Sequence, residues 1–259
     1  MTNQQRQVLI GCAGWSIPRE TQAEFPSGES HLERYAKVFR AVELNSTFYR
    51  SHLPATYARW RQSVPRGFRF SVKMPRLITH IQRLADCQKP LAAFIEEVAA
   101  LGEQLGPLLV QLPPSLGFDP KRAEAFWRRL RALHNGPVVC EARHAGWFTP
   151  EAARMLVAYR IIRVAADPAP VPGSGDPGGW SGMVYYRLHG SPRMYSSSYS
   201  AAFLTMLAKR LRGLSRRGPV WCIFDNTAVG AAIPNALALQ RRLAPPASSS
   251  RYQKEAVQP

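Results

Sequence analysis

The chain of 259 residues is 46% hydrophobic and 20% charged, which supplies enough apolar surface for a folded core and excludes a wholly disordered protein. Its formal net charge of +17 comes from 34 lysine and arginine residues against 17 acidic residues. This surplus indicates either a polyanionic partner or an arginine-rich surface without a specific role. No apolar run is long enough to span a membrane, and residues 1–7 lack the apolar stretch of a signal peptide, so we expect a soluble cytoplasmic protein.

Short apolar runs alternate along the chain with amphipathic stretches, as strands and helices do around a parallel sheet. The predicted strands are residues 8–12, 41–45, 69–73, 108–112, 138–142, 161–165, 184–189 and 220–225. The predicted helices between them are residues 32–40, 55–61, 90–105, 121–133, 150–159, 200–214 and 233–243. This alternation and the chain length predict an α/β fold of the (β/α)8 TIM-barrel type.

Three further features of the chain bear on its organisation. Residues 167–182 are rich in proline and glycine and predict a long loop, so we expect no regular helix after the sixth strand. Residues 1–244 form one predicted barrel domain, and residues 245–259 predict a disordered polar tail because they lack apolar periodicity. Without a C-x-x-C pair, the cysteines predict apolar packing rather than disulfides or a zinc site; they are Cys12, Cys87, Cys140 and Cys222.

Polar side chains stand at the carboxyl end of nearly every predicted strand, where a strand buried on both faces would otherwise be apolar. These residues are Glu43, Asn45, Lys73, Gln111, Glu141, Arg143, His144, Asp167, Arg187, His189, Asp225 and Asn226. In (β/α)8 enzymes the active site lies at this end of the strands, which we call the mouth. The set as a whole therefore predicts a functional site. A layer of salt bridges that closes the barrel is the alternative, and it is the simpler explanation for any single residue.

Several longer motifs surround these polar residues. They are Ile10-Gly11-Cys12-Ala13-Gly14-Trp15, Val42-Glu43-Leu44-Asn45-Ser46-Thr47-Phe48-Tyr49, Phe70-Ser71-Val72-Lys73-Met74-Pro75 with Thr79-His80, Leu109-Val110-Gln111-Leu112-Pro113-Pro114, Glu141-Ala142-Arg143-His144 with Trp147, Tyr186-Arg187-Leu188-His189-Gly190, and Phe224-Asp225-Asn226 with Asn235-Ala236. In these motifs the chain resembles the YecE-like family, domain of unknown function 72, over residues 10–243. The resemblance implies a TIM-type barrel and implies no particular activity. Asp225 departs from the family, where an asparagine is usual, and adds a negative charge at the mouth; Cys12-Ala13 departs from the usual small hydroxyl residues.

Glu43 and Glu141 are the candidate acid and base of the predicted site. A barrel can hold carboxylates from its second and fifth strands at the separation that acid–base or glycosidic chemistry requires. His189, which lies on a predicted strand, is the candidate proton carrier. Ion pairing with Lys73, Arg143 or Arg187 is the alternative role of the two carboxylates. For His189 the alternative is a histidine at the edge of the core that is bonded to a carboxylate.

Basic residues of the mouth predict an anionic substrate, because guanidinium and ammonium groups suit phosphate and carboxylate groups. The predicted substrate-binding residues are Asn45, Lys73, His80, Gln111, Arg143, His144, Asp167, Arg187, Asp225 and Asn226. A Schiff base at Lys73 would require a lowered pKa, and the sequence leaves the direction of that shift open because both cations and carboxylates surround the amine. We predict no metal, since no ligand spacing supports one, and the sequence identifies no cofactor.

The leading hypothesis is a hydrolase or isomerase that acts on a small phosphorylated or sugar-like anion by general acid–base chemistry. A nucleic-acid-binding or nucleic-acid-processing protein is the first alternative. The net charge favours it, whereas the lack of a base-reading motif argues against it. A ligand-binding barrel without catalysis is the second alternative. The oligomeric state is left open.

Overall fold

Strands and helices alternate along residues 8–244, which are the residues that the computed structural model describes. The strands are β1 (Val8–Cys12), β2 (Ala41–Leu44), β3 (Arg69–Lys73), β4 (Leu105–Gln111), β5 (Val138–Glu141), β6 (Ile161–Arg163), β7 (Ala165–Asp167), β8 (Gly178–Gly179), β9 (Val184–Leu188) and β10 (Val220–Phe224). The α-helices are α1 (His31–Ala36), α2 (Pro54–Gln62), α3 (Gln88–Ala99), α4 (Pro120–Leu133), α5 (Pro150–Ala158), α6 (Ala201–Ser215) and α7 (Ala232–Leu243). The predicted polar tail, residues 245–259, lies outside the described residues.

Two hydrogen-bonded sheets contain these strands. One sheet has the order β1-β10-β9-β7, and the other has the order β2-β3-β4-β5-β6-β8. Every pair is parallel except β6 with β8, which is antiparallel. Parallel neighbours require a crossover connection, and the amphipathic segments between the strands supply it as helices. The predicted α/β class is confirmed.

The two sheets meet at two places along their edges. Beside β1, Ala13 forms a parallel bridge with Glu43 of β2. The strands approach so closely here that a Cβ atom at Gly11 would collide with the carbonyl group of Ala41, so this position requires glycine. At the other edge, Val164 connects β6 directly to β7, and its amide donates to the Cys140 carbonyl at 2.9 Å. Both junctions place the carboxyl ends of the two sheets on the same side.

Several helices begin where the sequence supplies a capping side chain. Ser30, Asp119, Thr149 and Ser200 each accept a hydrogen bond from an amide in the first turn of the helix that follows. Helix α1 ends at Ala36, earlier than predicted, because the chain tightens into a turn before β2. The other predicted helices correspond to α2–α7 with shifted ends.

The segment between β7 and β9 contains no helix, as its proline and glycine content predicted. Instead, Gly178–Gly179 forms β8 and pairs with Ile162 and Arg163 of β6. The Trp180 amide also donates to the Ile161 carbonyl at 2.9 Å. Since Ile161 is the first residue of β6, this part of the segment returns to the end of the strands opposite the mouth.

Apolar side chains cover both faces of the strands. The larger cluster packs between the strands and the helices, and a smaller one fills the other face below the mouth, with Ala41, Leu109, Val139, Ile162, Val164, Met183, Tyr185, Trp221 and Ile223 as its buried members. All four cysteines are free and buried, which agrees with the predicted apolar packing. Among residues 8–244, none of the helices combines the length and apolarity that crossing a bilayer requires.

Candidate functional site

Five ionisable side chains meet at the carboxyl ends of β2, β5, β9 and β10. Alternation along β9 explains part of this, because Arg187 and His189 share a face while Leu188 between them packs in the larger apolar cluster. We call these five residues the buried ion cluster; they are Glu43, Glu141, Arg187, His189 and Asp225. Each is at most 6% exposed, so they lie beneath the surface of the mouth.

Arg187 lies at the centre of the buried ion cluster and binds three carboxylates. Its Nε and Nη2 atoms donate to the two carboxylate oxygens of Glu43 at 3.0 and 2.7 Å. Nη2 also donates to Asp225 Oδ2 at 2.9 Å, and Nη1 donates to Glu141 Oε2. Burial lowers the pKa of Arg187, but the three carboxylates outweigh burial and raise that pKa well above its usual range. The guanidinium is therefore permanently charged and fully paired.

His189 bridges two carboxylates of the cluster. Its Nδ1 atom lies 3.0 Å from Asp225 Oδ2, and its Nε2 atom lies 3.2 Å from Glu141 Oε1. Only the imidazolium form donates from both ring nitrogens. Burial lowers the pKa of His189, but the neighbouring carboxylates raise it above its usual value. In turn, burial raises the pKa of Glu141, but Arg187, His189 and Arg143 lower it well below its usual value.

Two further side chains bind Glu141 near the open side of the cluster. The Nε and Nη2 atoms of Arg143 each lie 2.7 Å from Glu141 Oε1, and the Arg143 side chain is 15% exposed. Gln111 donates to the same oxygen at 3.2 Å. Arg143 Nη2 also lies 3.4 Å from the Tyr195 hydroxyl. Arg143 is thus held by the cluster and reaches toward solvent, whereas Gln111 is buried.

Lys73 is a cation at the mouth with no carboxylate within 4.0 Å among residues 8–244. Its Nζ atom lies 4.0 Å from the centroid of the Phe48 ring, and the residue is 8% exposed. The Thr47 hydroxyl donates to the Lys73 carbonyl at 2.6 Å and fixes the end of β3. Burial, followed by the charge of Arg187, lowers the pKa of Lys73 to about 8, although the cluster carboxylates oppose this.

His80 lies beside Lys73 on a short π-helix, Leu77–Ile81, which the sequence analysis did not predict. Its Nδ1 atom lies 2.8 Å from the Thr79 hydroxyl, and its ring packs edge-on against Phe48 at 4.9 Å. Burial, followed by the nearby cations, lowers the pKa of His80 to about 4, and Lys73 contributes most among these cations. Burial and the neighbouring cations both disfavour the protonated form of His80.

His144 and Asp167, two predicted substrate-binding residues, are not part of this arrangement. His144 is exposed, and its Nδ1 accepts a hydrogen bond from the Gly146 amide at 3.0 Å, as the cap of a short 3-10 helix. Asp167 is paired in register with Leu188, which packs toward the helices. The Asp167 side chain accordingly lines a cavity of about 260 Å³ on that side of β7. Neither side chain contacts the buried ion cluster, and substrate binding by His144 and Asp167 stays a prediction.

Asn226 has a structural role, because both donor contacts of its amide connect the segment after β9 with α7; substrate binding by Asn226 stays a prediction. Its Nδ2 donates to the Ser197 carbonyl and to Asn235 Oδ1, each at 2.9 Å. Asn235 also accepts from the Tyr199 amide at 3.0 Å and donates to the Ser198 hydroxyl at 3.0 Å. The two asparagines thus attach the segment after β9 to α7, a structural role that a sequence motif does not reveal.

Asn235→Ala is expected to loosen the segment of residues 190–199 and to lower the free energy of unfolding by about 1–3 kcal/mol. The substitution leaves Asn226 and the Tyr199 amide buried without their partner. Urea denaturation measures the loss of free energy of unfolding, and limited proteolysis of the native protein measures the loosening of the segment. Gln240→Ala is the matched control, since Gln240 lies on the same helix and donates only to the Val38 carbonyl at 2.9 Å. Equal protease resistance of the two variants would contradict this role of Asn235.

Tyr185 and Tyr195 are additional members of the site that the predicted residue set omitted. The Tyr185 hydroxyl lies 2.9 Å from Glu43 Oε2 and 2.8 Å from Ser71 Oγ, which extends the polar layer downward. The Tyr195 ring packs edge-on against His189 at 5.6 Å and covers it from the loop that follows β9. Tyr185 was detectable, because it lies two positions before Arg187 on the same face. Tyr195 follows β9 in the sequence, but its contact with His189 depends on the conformation of the loop.

The charges of the mouth do not cancel. The carboxylates are Glu43, Glu141 and Asp225; the cations are Lys73, Arg143, Arg187 and the His189 imidazolium. Cations therefore exceed carboxylates by one while Lys73 is protonated, and Lys73 is the cation left without an acidic partner. Within residues 8–244 no three histidine, cysteine or acidic side chains are arranged to hold a metal ion. Chemically, this arrangement favours an anion over a metal ion.

Comparison with known proteins gives a consistent result at the level of sequence. The family described as "Protein of unknown function DUF72" matches residues 9–258. The chain is 32% identical over 126 residues to UPF0759 protein YecE of Escherichia coli K12, covering 49% of this chain and 44% of YecE. It is 26% identical over 151 residues to UPF0759 protein YunF of Bacillus subtilis, covering 55% of this chain and 53% of YunF. The matched part of the chain thus spans about half the length of these curated relatives.

Solved structures extend the similarity to almost the whole fold. A DUF72 family protein from Thermotoga maritima is 26% identical, with a TM-score of 0.75 over 92% of this chain and 99% of that one. A DUF72 family protein from Enterococcus faecalis is 23% identical, with a TM-score of 0.77 over 92% of this chain and 95% of that one. The chain belongs to the DUF72 family, whose curated relatives include YecE and YunF.

Proposed function

We propose that the chain is an enzyme that binds a small anionic substrate at the mouth and acts on it by proton transfer. In this proposal the parallel strands close into a (β/α)8 barrel, with β6 and β7 together as its sixth strand. The Ala13–Glu43 bridge and the strand continuity across Val164 support that closure. Residues 1–244 then form the single domain, and its active site lies at the carboxyl ends of the strands.

One observation carries the proposal: the amine of Lys73 faces the mouth without an acidic partner among the described residues. The other cations of the mouth each contact a carboxylate, so an incoming anion finds one uncompensated positive charge. Arg143, which is partly exposed at the same edge, offers the remaining guanidinium donors. A phosphate or carboxylate group of the substrate is the expected counterion of Lys73.

The predicted acid–base residues take altered roles in this proposal. Glu43 is completely buried and accepts two donors of Arg187, so it positions that arginine and does not reach substrate. Lys73 serves as the proton acceptor, because a pKa of about 8 leaves a useful fraction of neutral amine near pH 7.5. Glu141 and His189 keep a proton-relay role beneath it, with His189 between two carboxylates.

Thermal-shift titrations with inorganic phosphate, sugar phosphates and sugar acids test the anion site. Lys73→Gln and Arg143→Gln are each expected to weaken binding about tenfold or more, which is the loss of one charge-assisted contact. Arg210→Gln is the control, since Arg210 lies exposed on α6, away from the mouth, and pairs with Asp176. Equal responses of the three variants would contradict the proposal.

The two alternative functions give different outcomes in the same assays. A nucleic-acid-binding protein would bind oligonucleotides with a steep dependence on salt that the mouth variants leave unchanged. A ligand-binding barrel without catalysis would bind the anion with the expected dependence on Lys73 and would leave it chemically unaltered. Product analysis of any bound anion by mass spectrometry separates the second alternative from the enzyme.

A further inference from the structure

We propose that Lys73 is a covalent catalytic residue that forms an imine with an anionic aldehyde or ketone bound at the mouth. The inference rests on the proposed function and narrows its substrate to compounds that carry both a carbonyl group and an acidic group. The acidic group is held by the remaining guanidinium donors of Arg143, and the carbonyl carbon meets the neutral amine of Lys73.

The surroundings of Lys73 differ from those of the other four lysines within residues 8–244. An amine nucleophile must be neutral, placed by a rigid element and free of an ion pair. Lys37, Lys89, Lys121 and Lys209 are exposed, whereas Lys73 is buried at the end of β3. Lys73 therefore has a fixed stem and an amine that solvent barely reaches.

The form of the amine suits attack near neutral pH. Phe48 lies 4.0 Å from Nζ and supplies an apolar wall, and Arg187 repels the ammonium form. With a pKa of about 8, the neutral fraction at pH 7.5 is roughly 200-fold larger than that of an ordinary lysine. The same neighbours that leave Lys73 without an ion pair thus make it nucleophilic.

The reaction requires no redox partner. The lone pair of Nζ attacks the carbonyl carbon, a C–N bond forms, and the π pair of the carbonyl moves to oxygen, which takes up a proton. The nitrogen then loses a proton, the hydroxyl takes up a second proton and leaves as water, and the nitrogen lone pair forms the C=N bond of a protonated imine. Loss of the last proton from nitrogen gives the neutral imine. One amine and one carbonyl compound therefore yield one imine and one water molecule.

Carboxylates near Lys73 serve the charge of this step. Asp225, whose negative charge acts on Lys73, is 6% exposed and accepts from the Asn45 amide at 3.3 Å. Burial raises the pKa of Asp225, but Arg187 and His189 lower it below its usual value, so Asp225 acts through its charge and the nitrogen proton passes to solvent. The protonated imine carries the same positive charge as the original ammonium, so the carboxylates of Glu43, Glu141 and Asp225 stabilise it as well.

Pyridoxal 5′-phosphate is the probe, because it joins an aldehyde to a phosphate group. The full chain is incubated with the probe at pH 7.5, the imine absorbance is recorded, and borohydride reduction fixes the adduct for peptide mass spectrometry. We expect Lys73 to be labelled at least about tenfold faster than any exposed lysine. Competing inorganic phosphate should slow this labelling, and pyridoxal without phosphate should label Lys73 more slowly.

Two variants make the test decisive, with folding of each checked by circular dichroism and thermal unfolding. Lys73→Arg keeps the charge, so it should lose the Lys73 adduct while retaining phosphate binding within about threefold. Lys209→Arg removes an exposed lysine and should leave the labelling of Lys73 unchanged. Preferential labelling of exposed lysines, or equal labelling of wild type and Lys73→Arg, would overturn the imine. Phosphate binding without a Lys73 adduct overturns the imine alone, whereas absent phosphate binding and absent competition overturn the anion site as well.

Discussion

Replacing Arg187 with methionine is expected to lower the free energy of unfolding by about 3–5 kcal/mol at pH 7. Arg187 donates to Glu43, Glu141 and Asp225, and each of these carboxylates is at most 6% exposed. Methionine fills a similar volume but leaves the three carboxylates buried without their shared cation. Urea denaturation followed by circular dichroism measures the loss. Arg187→Lys restores the charge without the planar guanidinium donors, so it should recover part of the lost free energy of unfolding.

The dependence of this loss on pH follows from the carboxylates. In the wild type, burial raises the pKa values of Glu141 and Asp225, but Arg187 and other cations lower them below their usual values. Their stabilising effect is therefore present above the unfolded-state pKa, near 4, and is lost as the pH falls through the lower folded-state values. Without Arg187 the folded-state pKa values rise, so the difference between variant and wild type should shrink in acid.

Arg210→Met is the matched control for Arg187→Met. Arg210 also binds a carboxylate, Asp176, but both side chains are about half exposed or more. An exposed pair contributes at most about 1 kcal/mol, because water and salt screen it. Equal losses in the two arginine variants would mean that the carboxylates at the mouth do not depend on Arg187.

Lys73→Met is expected to have the opposite sign and to raise the free energy of unfolding by about 1–3 kcal/mol at pH 7. The folded-state pKa of Lys73 is about 8 against an ordinary value of 10.5, so burial of the ammonium destabilises the native protein. The cost is complete below pH 8, because the lysine is then charged in both states. It decreases between pH 8 and 10.5 and vanishes above that range.

Denaturation at pH 7 and pH 10 measures this effect, with Lys89→Met as the control for an exposed lysine. The Lys73→Met advantage should be largest at pH 7, whereas Lys89→Met should change little at either pH. If Lys73→Met is instead less stable than the wild type at pH 7, the ammonium is held by the cluster and its pKa is not lowered. Stabilisation on loss of a polar residue is expected where a site is kept for chemistry rather than for stability.

Local sequence patterns were sufficient to predict the parallel α/β fold and the convergence of its polar residues. An apolar run between amphipathic segments predicts a buried strand, because both of its faces must be covered. Once strands are parallel, their last residues necessarily share one end of the sheet. Glu43, Glu141, Arg187, His189 and Asp225 were therefore expected to lie near one another, and the structure places them in contact.

Other elements left no local signal. Strand β8 consists of Gly178 and Gly179, whose pairing with β6 depends on the path of the chain rather than on side chains. The π-helix that carries His80 is equally irregular. The short strand β7 turns the side chain of Asp167 toward the helices, and this follows from its register with β9.

The sequence by itself determined which residues could meet at the mouth, because strand alternation and chain direction are local properties. Only the tertiary structure decided how their charges are divided. Arg187 binds three carboxylates, His189 bridges two of these, and Lys73 is left with an aromatic neighbour in place of an acidic one. Pairing and desolvation depend on distances of a few ångströms between residues far apart in the chain. The direction of the Lys73 pKa shift, which the sequence left open, follows from those distances.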